Sequence, residues 1–139
     1  MSFETVKAMK NILFDLDGTL LPMDIDVFEK AYFKGLCKSM IDKINPQELY
    51  KHIWGGTKAM VLNNGSKTNM EVFKDYFNNN TDLYYDTCEP IFLEYYRTGF
   101  QDCVNACSVS ELSKNIVEEL QSKGYTVEIA TNTIFPQIA

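Results

Sequence analysis

Histidine and tryptophan each occur once in these 139 residues, and no two cysteines stand in a C-x-x-C arrangement. Cys103 and Cys107 are four apart, but the single histidine, His52, is remote from them in sequence. That spacing speaks against a zinc site and gives no support to a Cys-His nucleophile. Cys37, Cys88, Cys103 and Cys107 read as reduced thiols, mostly of a core. There is no basic run, and the formal net charge is −6. A chain of that balance is a poor ligand for nucleic acid or an anionic membrane, and the charge itself reads as solubility. No apolar run reaches membrane-spanning length and no signal-peptide pattern is present, so the expected location is cytoplasmic. Internal repeats are lacking, and the one low-complexity tract is Asn78-Asn79-Asn80.

What remains is the composition of a globular protein, 45% hydrophobic and 13% aromatic, with length for one core of ordinary size. Its most informative stretch is Ile12-Leu13-Phe14-Asp15-Leu16-Asp17-Gly18-Thr19-Leu20. Ile12, Leu13 and Phe14 put apolar side chains on both faces of an extended segment, as a strand buried between two layers requires. Gly18 lets the backbone turn sharply after it. Asp15 and Asp17 then stand where a parallel strand meets its loop, the edge at which open α/β sheets bind ligands. At period two both carboxylates start on the same side of the strand. Two acids that close repel unless a cation or a shared proton compensates, and Mg²⁺ is the natural cation for oxygen ligands. A calcium loop fails on spacing, because Gly18 is fourth from Asp15 and the twelfth position is Asp26 rather than Glu. A plain polar turn is the other alternative. The apolar run before the pair and the Thr-Leu after it favour the strand end.

Along the chain, Lys10 to Leu16 is the first expected strand. Asp24 or Asp26 caps a helix with an apolar stripe at Ile25, Phe28, Tyr32, Leu36, Met40 and Ile44. Asn45, Pro46 and Glu48 open a second helix with a capping box, which Gly55-Gly56 interrupts or ends. Thr68 with Glu71 caps a third helix to about Phe77, and Asp86 with Glu89 a fourth to about Thr98. Phe100 to Ala106 reads as a connector. Ser108 with Glu111 opens a fifth helix, closed by Gly124, and Tyr125 to Thr131 is the second strong strand. A strand thus opens the chain, a helix and a strand close it, and helices fill the middle. Two parallel strands need a crossover, which a helical insert can supply. The expectation is an α/β core at 1–21 and 101–139 with a helical domain at 22–100.

Phe-Asp-Leu-Asp-Gly-Thr-Leu at 14–20 resembles the first motif of the haloacid dehalogenase (HAD) superfamily of hydrolases. Ile129-Ala130-Thr131-Asn132 matches the second, an apolar strand ending in Thr or Ser, and the insert looks like the cap of the subfamily whose cap follows the first motif. The resemblance runs from about residue 10 to the end of the chain. It implies an α/β, Rossmann-like parallel-sheet core, incomplete here, with an inserted helical cap. It also implies a Mg²⁺-dependent phosphatase acting through an aspartyl-phosphate. Asp15 is then the nucleophile and a metal ligand. Asp17 is the acid-base residue and gives its backbone carbonyl to the metal. Thr131 and Asn132 bind the phosphate, and Thr19 braces the loop. Taken alone, Thr131 is an ordinary β-branched strand residue. Members that release halide lack the second aspartate, so Asp17 points to phosphoryl transfer.

The family's third motif, a Lys, and its fourth, acidic residues on a later strand, belong beyond Thr131. Residues 132–139 contain neither. The expectation is therefore a C-terminally truncated chain, with self-association or a missing segment completing the sheet. The substrate implied is a small phosphorylated metabolite. His52, Trp54 and Lys58 are candidates for touching its leaving group, though surface or cap-core positions suit them better. An inactive fragment or regulatory module of the same fold, or a sugar phosphomutase, are the competing readings.

Overall fold

A computed structural model of the chain describes residues 10–131. The fold is α/β: a short parallel sheet with five α-helices. The described residues divide into two compact units, one of residues 10–23 and 108–131, the other Asp24–Cys107.

In the first unit, β1 (Asn11–Phe14) pairs in parallel with β2 (Thr126–Ile129), Ile12 opposite Val127 and Phe14 opposite Ile129. Backbone bonds extend the ladder past both strands, from Thr126 N–H to Lys10 O and from Ala130 N–H to Phe14 O, each 2.8 Å. Both strands are shorter than expected from the apolar runs. β1 stops at Phe14 because Leu16 is already committed to a turn. Its carbonyl accepts from Thr19 N–H (3.2 Å) and Leu21 N–H (2.9 Å), and Gly18 N–H donates to Leu21 O (2.9 Å). Gly18 has φ +73°, and no other residue of this turn has a positive φ. A positive φ at the third residue alone is the type II pattern, which favours glycine there. The crossover helix α5 (Glu111–Ser122) packs on β2. Ser110, not Ser108, caps it, accepting from Ser113 N–H at 3.0 Å.

The second unit holds α1 (Ile25–Ser39), α2 (Pro46–Val61), α3 (Asn69–Asn80) and α4 (Tyr85–Thr98). Of the two candidate caps, Asp24 opens α1, accepting from Val27 N–H at 3.0 Å. Asn45 caps α2 through Gln47 N–H (2.9 Å), with Pro46 at the first position; the expected capping box is not made, because among the described residues the Glu48 side chain returns no bond to Asn45. At α3 the Thr68–Glu71 capping box is complete in both directions. The Thr68 N–H and hydroxyl hold the Glu71 carboxyl below its ordinary range. Helix α4 opens differently from the expected Asp86–Glu89 cap. It begins at Tyr85, whose N–H is taken by the Asn78 side chain at 2.7 Å. Asn78 therefore serves the next helix rather than ending its own.

Leu36, Met40, Leu49, Phe73, Phe77, Tyr85, Cys88 and Phe92 form the core of this unit. Residues 101–107 fall on the helical side of the division, not with the strands. Phe100–Ala106 is a 3₁₀ helix packed on α1 and α4, with Cys103 and Ala106 buried.

Gly55 and Gly56 neither interrupt nor end α2. They lie where α3 approaches: a Cβ on Gly55 would come 1.9 Å from the Tyr76 hydroxyl, and one on Gly56 2.6 Å from the Phe73 ring. The backbones come close because nothing projects there. The two contacts differ in consequence. Tyr76 meets Gly55 with the far end of a partly exposed side chain, whereas Phe73 is 1% exposed. Gly56→Ala is expected to lower stability by roughly 1–3 kcal/mol through overpacking. Gly55→Ala, helped by the better helix propensity of alanine, should stay within about 1 kcal/mol of the parent. Urea unfolding of the two variants measures both; equal losses would mean that the Tyr76 ring is pinned. Gly18→Ala meets no neighbour within 4 Å, so its expected loss of about 1–2 kcal/mol is backbone strain alone, readable in the same experiment.

Candidate active site

The parallel ladder sets the geometry of the sheet edge. Its last bond joins Ala130 to Phe14, so Asp15 lies one residue past the end of β1 and Thr131 two residues past the end of β2. Both follow the carboxyl edge of the sheet because the two strands run the same way. Asp17 is not on the strand at all. It occupies the second position of the turn from Leu16 to Thr19, so the period-two argument for its side chain does not apply. The turn holds Asp17 within two residues of Asp15 by backbone bonds instead, and Asp17 also bridges to Leu21. Thr19 donates its N–H to Leu16 O and so closes this loop.

Asp15 and Asp17 are both exposed, and Thr131 is partly buried. Among the described residues neither carboxylate makes an ion pair or a side-chain hydrogen bond. Two acids this close in sequence and without a cationic partner are suited to a hard cation. Mg²⁺ is commonly held by one or two carboxylates, with water and phosphate oxygens filling the other positions. Asp15 and Asp17 fit that sparse donor set. They do not fit a closed all-protein cage: among the described residues no three His, Cys, Asp or Glu gather as ligands. Asn132 lies outside the described residues.

Donors that side-chain patterns cannot reveal also sit here. Among the described residues, the backbone N–H groups of Leu16 and Asp17 make no hydrogen bond. Free N–H groups in a tight turn are ready donors to an anion. The sequence signal for them is Gly18, since the turn it permits is what withdraws those groups from the ladder.

The other chemical groups of the chain are elsewhere. Burial pushes the thiols of Cys37, Cys88 and Cys103 up, which disfavours the thiolate a nucleophile needs. His52, Trp54 and Lys58 all lie on α2 in the helical unit. The His52 ring stands against Tyr76 with ring centres 6.5 Å apart, and Trp54 lies half-exposed beside Phe33 and Tyr50. Among the described residues no helix is long and apolar enough to cross a membrane.

Comparison with known proteins bears on this site. The chain is 33% identical over 124 residues to the phosphoglycolate phosphatase of Aquifex aeolicus (strain VF5), an alignment covering 84% of this chain and 58% of that protein. It therefore spans little more than half the length of this relative. No solved structure matches it. Residues 12–138 match the haloacid dehalogenase-like hydrolases, a span that takes in all of β1 but its first residue, the turn that follows it, β2 and the five described α-helices. The chain belongs to the haloacid dehalogenase-like hydrolase family.

Proposed function

We propose that this chain carries the nucleophile and the acid-base residue of a Mg²⁺-dependent phosphatase site for a small phosphorylated metabolite. What supports the reading is that Asp15 and Thr131 follow the carboxyl ends of two adjacent parallel strands, with Asp17 in the turn directly after Asp15.

Asp15 is the nucleophile. One of its carboxylate oxygens forms a bond to phosphorus as the bond from phosphorus to the ester oxygen breaks, giving an aspartyl-phosphate and splitting one hard step into two. Asp17 gives its proton to the departing alkoxide and is left ionised. It then takes a proton from water, whose oxygen bonds to phosphorus while the bond to Asp15 breaks. Inorganic phosphate leaves, and both residues return to their starting states. The Thr131 hydroxyl and the N–H groups of Leu16 and Asp17 donate to phosphate oxygens as charge builds on them. Asn132 is assigned to the same phosphate contact. Mg²⁺, held by Asp15 and by the backbone carbonyl of Asp17, would offset the repulsion between a carboxylate and an anionic phosphate.

In this reading the helical unit is a cap that screens the site from water and selects the substrate. The name of the Aquifex relative makes phosphoglycolate the first substrate to try.

With Mg²⁺ present, the chain is expected to release inorganic phosphate from phosphoglycolate or another small phosphate ester. Asp15→Asn should abolish that release. Asp17→Asn should lower kcat by about 10²–10⁴-fold, the usual range for general acid-base help, while Mg²⁺ affinity measured by calorimetry stays close to the parent. No release from any small ester, or equal loss of turnover and metal affinity in Asp17→Asn, would overturn the assignment. Phosphate returned to a sugar rather than to water would make the enzyme a phosphomutase.

A further inference from the structure

The loop joining α2 to α3 holds the chain's single Asn-Gly pair, Asn64-Gly65, and both residues are exposed. Asn64 folds its side chain back over the peptide that follows it, because its Oδ1 accepts the Ser66 N–H at 3.0 Å. That is an Asx turn, a bond from the side chain to the backbone two residues on. It keeps the side-chain amide beside the peptide between Asn64 and Gly65. It also puts a donor on the oxygen where charge builds when a nucleophile attacks Cγ. Among the described residues the Asn64 Nδ2 donates to nothing. Gly65 has φ +84°, and a Cβ built there would meet nothing within 4 Å, so no neighbour crowds it. Asn63 differs at each point. Its Nδ2 is held by Lys67 O and Asn69 Oδ1, each at 2.9 Å, and the residue after it carries a side chain. Asp17-Gly18 has no amide to expel, and its Gly18 N–H is held by Leu21 O at 2.9 Å.

We infer that Asn64 is a site of spontaneous covalent modification, deamidating in the folded protein through a cyclic imide. The Gly65 nitrogen gives its proton to hydroxide and bonds to Asn64 Cγ. The bond from Cγ to Nδ2 breaks, and that nitrogen takes a proton from water and leaves as ammonia. Water then opens the ring. Opening at the bond from Cγ to nitrogen gives aspartate; opening at the main-chain bond gives isoaspartate, with the chain running on through Cβ. One water is consumed and one ammonia released, with no oxidant, reductant or enzyme. The one contact that the attacking nitrogen must give up is the bond from Gly65 N–H to Asn63 Oδ1, at 3.1 Å near the long end of the N–H···O range. Nucleophile and carbonyl belong to neighbouring residues held in one turn, so the step is intramolecular. Either product puts a carboxylate ahead of α3, towards the positive end of its dipole. Isoaspartate also lengthens the connection between the two helices that approach at Gly55 and Gly56. The site uses none of Asp15, Asp17 or Thr131 and stands independently of the phosphatase reading.

The full chain is held warm at mildly alkaline pH for days, with a second sample unfolded in urea alongside. Trypsin then releases residues 59–67 as one peptide that carries both Asn63 and Asn64, and fragmentation in a mass spectrometer tells the two apart. In the native sample Asn64 is expected to convert to a mixture of aspartate and isoaspartate, with Asn63 unchanged. Gly65→Ala places a methyl group beside the attacking nitrogen and should lose most of the product, in the native and the unfolded sample alike. Because the unfolded sample reads the same chemistry without the fold, a change in folding of the variant does not blur the result. A native chain that stays unchanged while the unfolded chain converts would show that the fold protects Asn64 and would overturn the inference. Conversion shared equally with Asn63, or a Gly65→Ala chain that converts at the parent's rate, would overturn it too. Phosphate release is not the readout, so failure here leaves the phosphatase assignment standing.

Discussion

A parallel ladder cannot be closed by a tight turn, and the pairing of β1 with β2 is the constraint on which this structure rests. The two strands lie at opposite ends of the described chain, yet Asn11 pairs with Thr126 and Phe14 with Ile129. Everything between them is crossover. Loop closure costs entropy that rises slowly with length, as about (3/2)RT ln n, so a long connection is tolerable, more so when most of it is folded on its own account. Asp24–Cys107 is such a folded connection, with its own core of aromatic and aliphatic side chains. The chain leaves the strand unit after Met23 and returns at Ser108. A backbone bond flanks the crossing in each unit, Ser108 N–H to Pro22 O at 3.0 Å in one and Asp24 N–H to Ala106 O at 2.9 Å in the other.

Burial is distributed unevenly between the two units. Every buried hydrophobic side chain among the described residues belongs to Asp24–Cys107. In the strand unit Leu13 is 63% exposed, Leu112 70% and Ile129 56%. This follows from architecture, since a parallel sheet wants both faces covered and neighbours at both edges. Two strands and one helix supply part of that cover. Stability within a protein is local, and the segments with few buried apolar contacts open first. The strand unit has fewer such contacts than the helical unit.

Local signals in the sequence were legible wherever they were also local in the structure. The turn at Gly18 and the caps at Asp24, Asn45 and Thr68 each act within a few residues, and each is found where the pattern indicates, while the Glu48 half of the second capping box is not made and both strands are shorter than their apolar runs. Misreadings arose where a distant residue competes for a group. Asn78 opens a polar tract that looks like the end of α3, but it lies within the helix and its side chain takes the N–H of Tyr85 seven residues on. Gly55-Gly56 looks like a break, but the approach of Tyr76 and Phe73 rewards the absence of side chains and overrides low helix propensity. Phe100–Ala106 has weak periodicity, and only burial of Cys103 and Ala106 in the helical unit fixes its side of the boundary. At the candidate site the carboxylates were legible and their support was not. Asp17 leaves the strand because the Leu16 carbonyl is occupied twice by the turn, a main-chain event with no side-chain signature.

That difference in burial bears on the chemistry. Phosphoryl transfer from an ester to a carboxylate depends on position more than on reactivity, and misplacement by an ångström can cost about 10²-fold in rate. Here the relative position of Asp15 and Thr131 is set by a short ladder with little buried surface behind it, while the turn that holds Asp17 is closed by its own three backbone bonds. The spacing of the two acids is thus locally determined, and the spacing of the acids to Thr131 is not. Any contact that covers the exposed Leu13 would stiffen the second spacing and leave the first unchanged. The setting of the sheet's carboxyl edge therefore depends on what packs against the sheet, whereas the turn that carries Asp17 is held by its own backbone bonds around Gly18.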